Sequence, residues 1–154
     1  MTALAPRDTK RSGRQEGSMT QEPKRINHLG IAVKSLEEGL AVWRDGLGLK
    51  VEKLVEMPEK GLKIAFLPCG ETMIELLAPL GEQSEIQAFL DKRGGGLHHV
   101  CLEVTDVGAA TAHASAQGFA LLGKEPTMGA EGYPVRFAHP KSTAGTLVEW
   151  LEKA

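Results

Sequence analysis

Two histidines and two glutamates recur in this chain at matching distances. His28 and His99 stand 71 positions apart, and Glu75 and Glu149 stand 74 apart. Each lies in a similar run: INHLGIAV (26–33) against LHHVCLEV (97–104), and TMIELL (72–77) against TLVEWL (146–151). Imidazole nitrogens and carboxylate oxygens are donors for divalent cations, and the lack of thiolate among them disfavours a structural zinc site. Cobalt(II), manganese(II), nickel(II), zinc and magnesium all stay open, with shell positions left for substrate oxygens. Singly, each residue has a plainer reading, a hydrogen-bonded strand histidine or a solvated glutamate. Burying all four without a cation would be costly, so their joint recurrence points to a metal centre of His28, Glu75, His99 and Glu149.

The elements that must position these residues also come twice. INHLGIAV and LHHVCLEV alternate with period 2 and read as strands. Leu29, Ile31 and Val33 form one packed face, matched by Val100, Leu102 and Val104. The other face carries His28, Gly30 and Ala32 in one copy and His99, Cys101 and Glu103 in the other. A small or polar face beside a histidine suits a cavity. A helix follows each strand. Ser35 and Glu38 make a capping box, with Leu36, Leu40, Trp43 and Leu47 at helical spacing. Asp106 caps the second helix, whose stripe is Val107, Ala110 and Ala114. Three short strands are then expected per copy: roughly 50–56, 62–67 and 72–77, then 120–124, 135–138 and 146–151. The chain thus reads as α+β, two tandem βαβββ modules (26–80 and 97–151) whose strands form a curled eight-stranded sheet around a metal-containing cavity. A linking helix is expected over 84–93. A module of this size buries too little to be comfortable alone, and pairing two around a shared cavity solves that problem.

Composition removes whole classes of function. With 18 Lys+Arg against 20 Asp+Glu, the net charge is −2, without the basic excess of a nucleic-acid protein. No stretch is apolar for long enough to make a membrane helix. Two cysteines are too few for a disulfide scaffold. The first 25 residues lack apolar content and period and are read as a disordered tail ahead of one domain, 26–152. Of the remaining histidines, His98 is expected on the strand face opposite His99, as a supporting or structural residue. His113 is expected to be solvated. His139 opens the loop HPKST, which is near enough to the last strand to bear on substrate. Glu103 is placed at the cavity rim, and Cys101 is read as a small hydrophobe on the cavity face.

Paired βαβββ units with a His/Glu/His/Glu set resemble the vicinal oxygen chelate superfamily, which includes glyoxalase I. Within it, GGGLHHVCLEV, IELLAPLGEQSEIQAFL and GAEGYPVRFAHPKSTAGTLVEW resemble the methylmalonyl-CoA epimerases, over residues 26 to about 152. The resemblance implies the second histidine of HH, His99, as ligand. It also implies a cytoplasmic homodimer (in the mitochondrial matrix if the chain is eukaryotic) acting on an acyl-CoA, with cobalt(II) the leading metal and no nucleic-acid or membrane partner. The implied reaction interconverts (R)- and (S)-methylmalonyl-CoA by removing the α-proton, with Glu149 as a catalytic acid/base. Some members place a partner glutamate on the third strand. Here that stretch is Leu62-Lys63-Ile64-Ala65, so the role is assigned to no residue. Two alternatives are a glyoxalase I-type lactoylglutathione lyase and a non-catalytic binding protein of the bleomycin-resistance type. The run HPKSTAGTLVEW, lacking Asp-Pro-x-Gly, weighs against the lyase.

Overall fold

A computed structural model describes residues 22–154. Eight strands form one mixed sheet: β1 (Arg25–Ala32), β2 (Lys53–Met57), β3 (Leu62–Cys69), β4 (Thr72–Pro79), β5 (Gly96–Val104), β6 (Thr127–Met128), β7 (Pro134–Ala138) and β8 (Val148–Glu152). Their spatial order is β2-β3-β4-β1-β5-β8-β7-β6. The order is symmetric about its centre. The first strands of the two copies, β1 and β5, pair antiparallel, and each pairs parallel with the last strand of its own copy, β4 or β8. All four chemically distinctive residues therefore fall on the four central strands. The expected α+β architecture of two βαβββ units sharing one curled sheet is the architecture found.

The two faces of the sheet are packed differently because the sequence alternates. On the convex face, Ile74 and Leu76 of β4 with Leu29, Ile31 and Val33 meet Leu36, Leu40 and Trp43 of the first helical segment. In the second copy, Val104, Val148 and Trp150 meet Val107, Ala110 and Ala114 of α3 (Val107–Ala116). Both caps form as the sequence requires. Ser35 accepts a hydrogen bond from the Glu38 amide at 3.1 Å, and Asp106 accepts one from the Ala109 amide at 2.9 Å. On the concave face, Leu62, Ile64, Phe66 and Leu77 pack against Ile86 and Leu90 near and within the linking helix α2 (Gln87–Arg93), which closes one end of the trough.

Several elements differ from the sequence reading. The first helix is α-helical only over Leu36–Leu40 (α1) and continues as a π-turn over Ala41–Gly46. Residues 120–124 form no strand. Gly123 takes a left-handed φ of 73°, leaving the Leu121–Ala138 bridge, and the edge strand of that copy is the two-residue β6. Sheet pairing begins slightly before residue 26: Arg25 belongs to β1, and the Lys24 amide donates to the Glu103 carbonyl at 2.8 Å. The expected tail lies outside the described residues up to residue 21. Among the described residues, no helix is long and apolar enough to cross a membrane.

Trp150 anchors the second copy's convex core at 6% exposure. Trp150→Ala should destabilise the fold by about 3–5 kcal/mol, the usual range for a buried aromatic. A loss below about 1 kcal/mol in urea unfolding would show that α3 is not held by this packing.

Candidate metal centre

The central strands aim four polar side chains into the concave trough, and all four are buried at 5% exposure: His28, Glu75, His99 and Glu149. The registers explain how. Gly30 lies opposite His99, and His28 lies opposite Cys101. Glu75 pairs with Phe66 and Glu149 with Phe137, so each glutamate stands beside a phenylalanine on the neighbouring strand. His99 has room only because position 30 is glycine. A Cβ built on Gly30 would overlap the His99 ring, while the backbone there is not among the left-handed ones.

Three donor atoms converge. His28 Nε2 and His99 Nε2 are 3.0 Å apart, and Glu149 Oε1 is 2.9 Å from the first and 3.2 Å from the second. Octahedral bonds of about 2.1 Å make edges of roughly 3.0 Å, so these separations suit a single cation. Hydrogen bonding accounts for the group less well: Glu149 Oε1 is fully buried and accepts no well-formed hydrogen bond. Hydrogen bonds need direction, whereas a cation needs only convergence. Glu75 stands apart from these three atoms, on the other side of the same imidazole, its Oε2 lying 2.7 Å from His28 Nδ1. Cys101 Sγ also lies within 4.8 Å of donor atoms of His28 and Glu149. Of the two, Glu75 is the better donor for a hard cation, since burial pushes the Cys101 thiol up to about 12 and keeps it protonated.

The metal-free electrostatics show what the site demands. Burial alone would push the His28 imidazole down. Contacts with Cys101, Glu149 and Glu75 outweigh it and raise the group to about 12. Burial would raise Glu149, yet the adjacent His28 and His99 hold it at about 2. Glu149 therefore stays ionised and draws positive charge into the trough. His98 is lowered to about 4, first by burial and then by His99, so it is neutral at pH 7.

The cavity above these groups is about 290 Å³. Its walls are largely apolar, including Leu62, Ile64, Leu77, Val135, Phe137 and Leu151, with Lys60, Glu85, Glu131 and Tyr133 also lining it. Leu62 and Ile64 are the third-strand residues facing the cavity, while Lys63 does not line it.

Two placements from sequence are corrected. His98 does not turn away from His99; it lines the same cavity. The β1–β5 register jumps from Gly30–His99 to Ile31–Leu97, making His98 an unpaired bulge residue and breaking the period of two. Glu103 is not at the rim: it is buried at 7% exposure, accepts a hydrogen bond from Asn27 Nδ2 at 3.0 Å and lies 3.3 Å from Arg25 Nε. His113 and His139 are exposed, and His139 with the HPKST loop stays outside the cavity lining. Asn27, Glu131 and Tyr133 were not singled out in the sequence; Asn27 had a signal, its repeat equivalence to His98 at the 71-residue offset.

Residues 27–137 match the model of the Glyoxalase/Bleomycin resistance protein/Dioxygenase superfamily. The mitochondrial methylmalonyl-CoA epimerase of Mus musculus is 43% identical over 147 residues, covering 95% of this chain and 82% of the relative. The ethylmalonyl-CoA/methylmalonyl-CoA epimerase of Cereibacter sphaeroides is 46% identical over 127 residues, covering 81% and 95% respectively. A Streptomyces coelicolor methylmalonyl-CoA epimerase, solved in complex with 2-nitronate-propionyl-CoA, superposes with a TM-score of 0.80 at 32% identity, covering 86% of this chain and 99% of that one. With a convergent donor set, a curled eight-stranded sheet and this similarity over most of its length, the chain belongs to the glyoxalase/bleomycin resistance protein/dioxygenase superfamily and, within it, to the methylmalonyl-CoA epimerase family.

Proposed function

We propose that this chain is a metal-dependent epimerase interconverting (R)- and (S)-methylmalonyl-CoA. The observation that carries the reading is the convergence of His28, His99 and Glu149 at the floor of an apolar cavity, in a chain whose relatives are epimerases of this thioester. The α-carbon of the substrate lies between a thioester carbonyl and a carboxylate, so its proton is removable if the resulting enolate is stabilised. His28, Glu75, His99 and Glu149 would hold a divalent cation, cobalt(II) first among the candidates, whose Lewis acidity supplies that stabilisation.

The protein's own groups account for the rest. Glu149, ionised and aimed into the cavity, is the acid/base on one face of the α-carbon. Leu62, Ile64, Phe137 and Leu151 exclude water that would otherwise compete for the exchanging proton. The apolar third strand leaves the second proton transfer to a group elsewhere in the cavity. The reading includes a homodimer, for which the exposed side chains Val42, Leu47 and Leu97 offer apolar surface, and a cytoplasmic or, in a eukaryote, matrix location.

Glu149→Gln should slow deuterium exchange at the α-carbon by about 10²–10⁴-fold, the range for loss of an acid/base group. Dialysis against a chelator should abolish exchange, and cobalt(II) should restore it. Full exchange in the Gln variant would overturn the assignment of Glu149. Metal-dependent isomerisation of the glutathione–methylglyoxal adduct without epimerase activity would instead favour the lyase.

Metal uptake should release a proton. His28, raised to about 12 without metal, holds its extra proton throughout the neutral range and must lose it to donate a lone pair. Apparent affinity should therefore fall as pH falls. Calorimetry in buffers of different ionisation enthalpy measures the release directly, and a heat independent of buffer would contradict it.

Gly30→Ala should disable the centre without straining the backbone, because the new methyl occupies the place of the His99 ring. The expected result is a destabilisation of about 1–3 kcal/mol, typical of overpacking, together with loss of cobalt(II) binding. Wild-type affinity in a folded Gly30→Ala protein would count against His99 as donor.

A further inference from the structure

The β1–β5 pair contains two bulges, one on each strand. Pairing jumps from Ile26–Leu102 to His28–Cys101, leaving Asn27 without a partner, and from Gly30–His99 to Ile31–Leu97, leaving His98 without one. Asn27 and His98 are equivalent in the 71-residue repeat, and each immediately precedes a histidine of the centre. Each also contacts the Nδ1 of that histidine. Asn27 Oδ1 lies 2.7 Å from His28 Nδ1, and His98 Nδ1 lies 2.9 Å from His99 Nδ1.

Hydrogen-bond chemistry fixes the direction of the first contact. The Glu103 carboxylate only accepts, so the Asn27 group 3.0 Å away is the NH₂, and the amide oxygen is the atom facing His28. An oxygen acceptor there holds the proton on Nδ1, so Nε2, the atom facing His99 and Glu149, is the nitrogen that would give its lone pair to a cation. Glu75 Oε2 shares that N–H at 2.7 Å, but Glu75 is itself one of the donors proposed for the cation. Asn27 is the acceptor independent of the cation, because Glu103 anchors its amide and Arg25 Nε lies 3.3 Å from Glu103. On the other half, His99 Nδ1–H can donate to His98 Nδ1, which leaves His99 Nε2 free in the same way.

We propose that the two bulge residues, Asn27 and His98, are positioning residues that fix the tautomer and ring orientation of His28 and His99, with Glu103 as the anchor of Asn27. This rests on the metal reading above. The bulges serve this arrangement: a regular strand would send the side chain preceding each histidine to the convex face, away from the imidazole. Groups of this kind typically change metal affinity or activity 10- to 100-fold when removed.

The test uses the full chain, titrated with cobalt(II) by calorimetry and followed by the visible spectrum of the bound ion. Asn27→Leu should bind cobalt(II) about 10- to 100-fold more weakly. The exchanged pair Asn27→Asp with Glu103→Gln restores a donor facing an acceptor and leaves an oxygen on His28 Nδ1, so it should recover most of the lost affinity. A purely structural Asn27–Glu103 contact would allow that rescue too, so the ring tautomers separate the two roles. Nitrogen-15 spectra of the wild-type protein loaded with zinc(II) read the tautomers without any variant, and His28 and His99 should both carry their proton on Nδ1. A metal-bearing Nδ1 on either ring, or undiminished affinity in Asn27→Leu, overturns this proposal while leaving the metal centre standing. A wild-type protein that takes up neither ion overturns the metal centre, and this proposal with it.

Discussion

Two carboxylates cannot remain ionised in an apolar trough unless positive charge is placed between them. Glu75 and Glu149 are as buried as the hydrophobic core around them, and removal of a carboxylate from water costs several kcal/mol if uncompensated. Without a cation, the His28 imidazole meets the demand by holding a proton, which is why it is raised so far. A divalent cation meets the same demand with one particle and no directional constraint. Much else on the concave face serves that convergence. Gly30 vacates the volume filled by the His99 ring, and the paired strands bring donors from both copies within 3.2 Å.

The symmetry of the sheet makes the convergence possible. Antiparallel pairing of β1 with β5 places His28 across from Cys101 and His99 across from Gly30, so the two rings enter one volume from opposite halves. Parallel pairing of β4 with β1 and of β8 with β5 brings the glutamates alongside at equivalent positions. Neither copy supplies more than one histidine and one glutamate to the set. The donor set therefore exists only once the halves have joined, and an ion that both halves share would also stabilise their union.

The parts of this design legible in the sequence were those carried by period and repeat. Alternation of Leu29, Ile31 and Val33 against His28, Gly30 and Ala32 announced a two-faced strand, and the 71- and 74-residue offsets selected the four polar residues the structure gathers. Where period failed, so did the reading. A bulge adds one residue without a composition signal, so counting by two puts His98 on the wrong face. The repeat still held the information, since Asn27 and His98 occupy equivalent positions, but their different side chains hid a shared role. The strand expected over 120–124 was lost for a local reason, a left-handed Gly123 ahead of Pro126. The π-turn after Leu40 departs from the regular helical spacing, so Leu47, expected in line with Leu40 and Trp43, is exposed.

The state of Glu149 bears on how the work of catalysis is divided. In the proposed mechanism Glu149 is the acid/base, and in the metal-free protein His28 and His99 hold it at about 2, where a carboxylate is a weak base. Strengthening it by moving His28 and His99 away would also dismantle the donor set. The same contacts cannot both gather the donors and make Glu149 strongly basic. In the proposed mechanism most of the reduction in the barrier would then come from acidifying the carbon, through stabilisation of the enolate oxygen, rather than from the strength of the base. The rest comes from the apolar walls, since a weak carboxylate base gains most when water is kept from solvating it. Leu62 and Ile64 of β3, which line the cavity, would contribute to that exclusion.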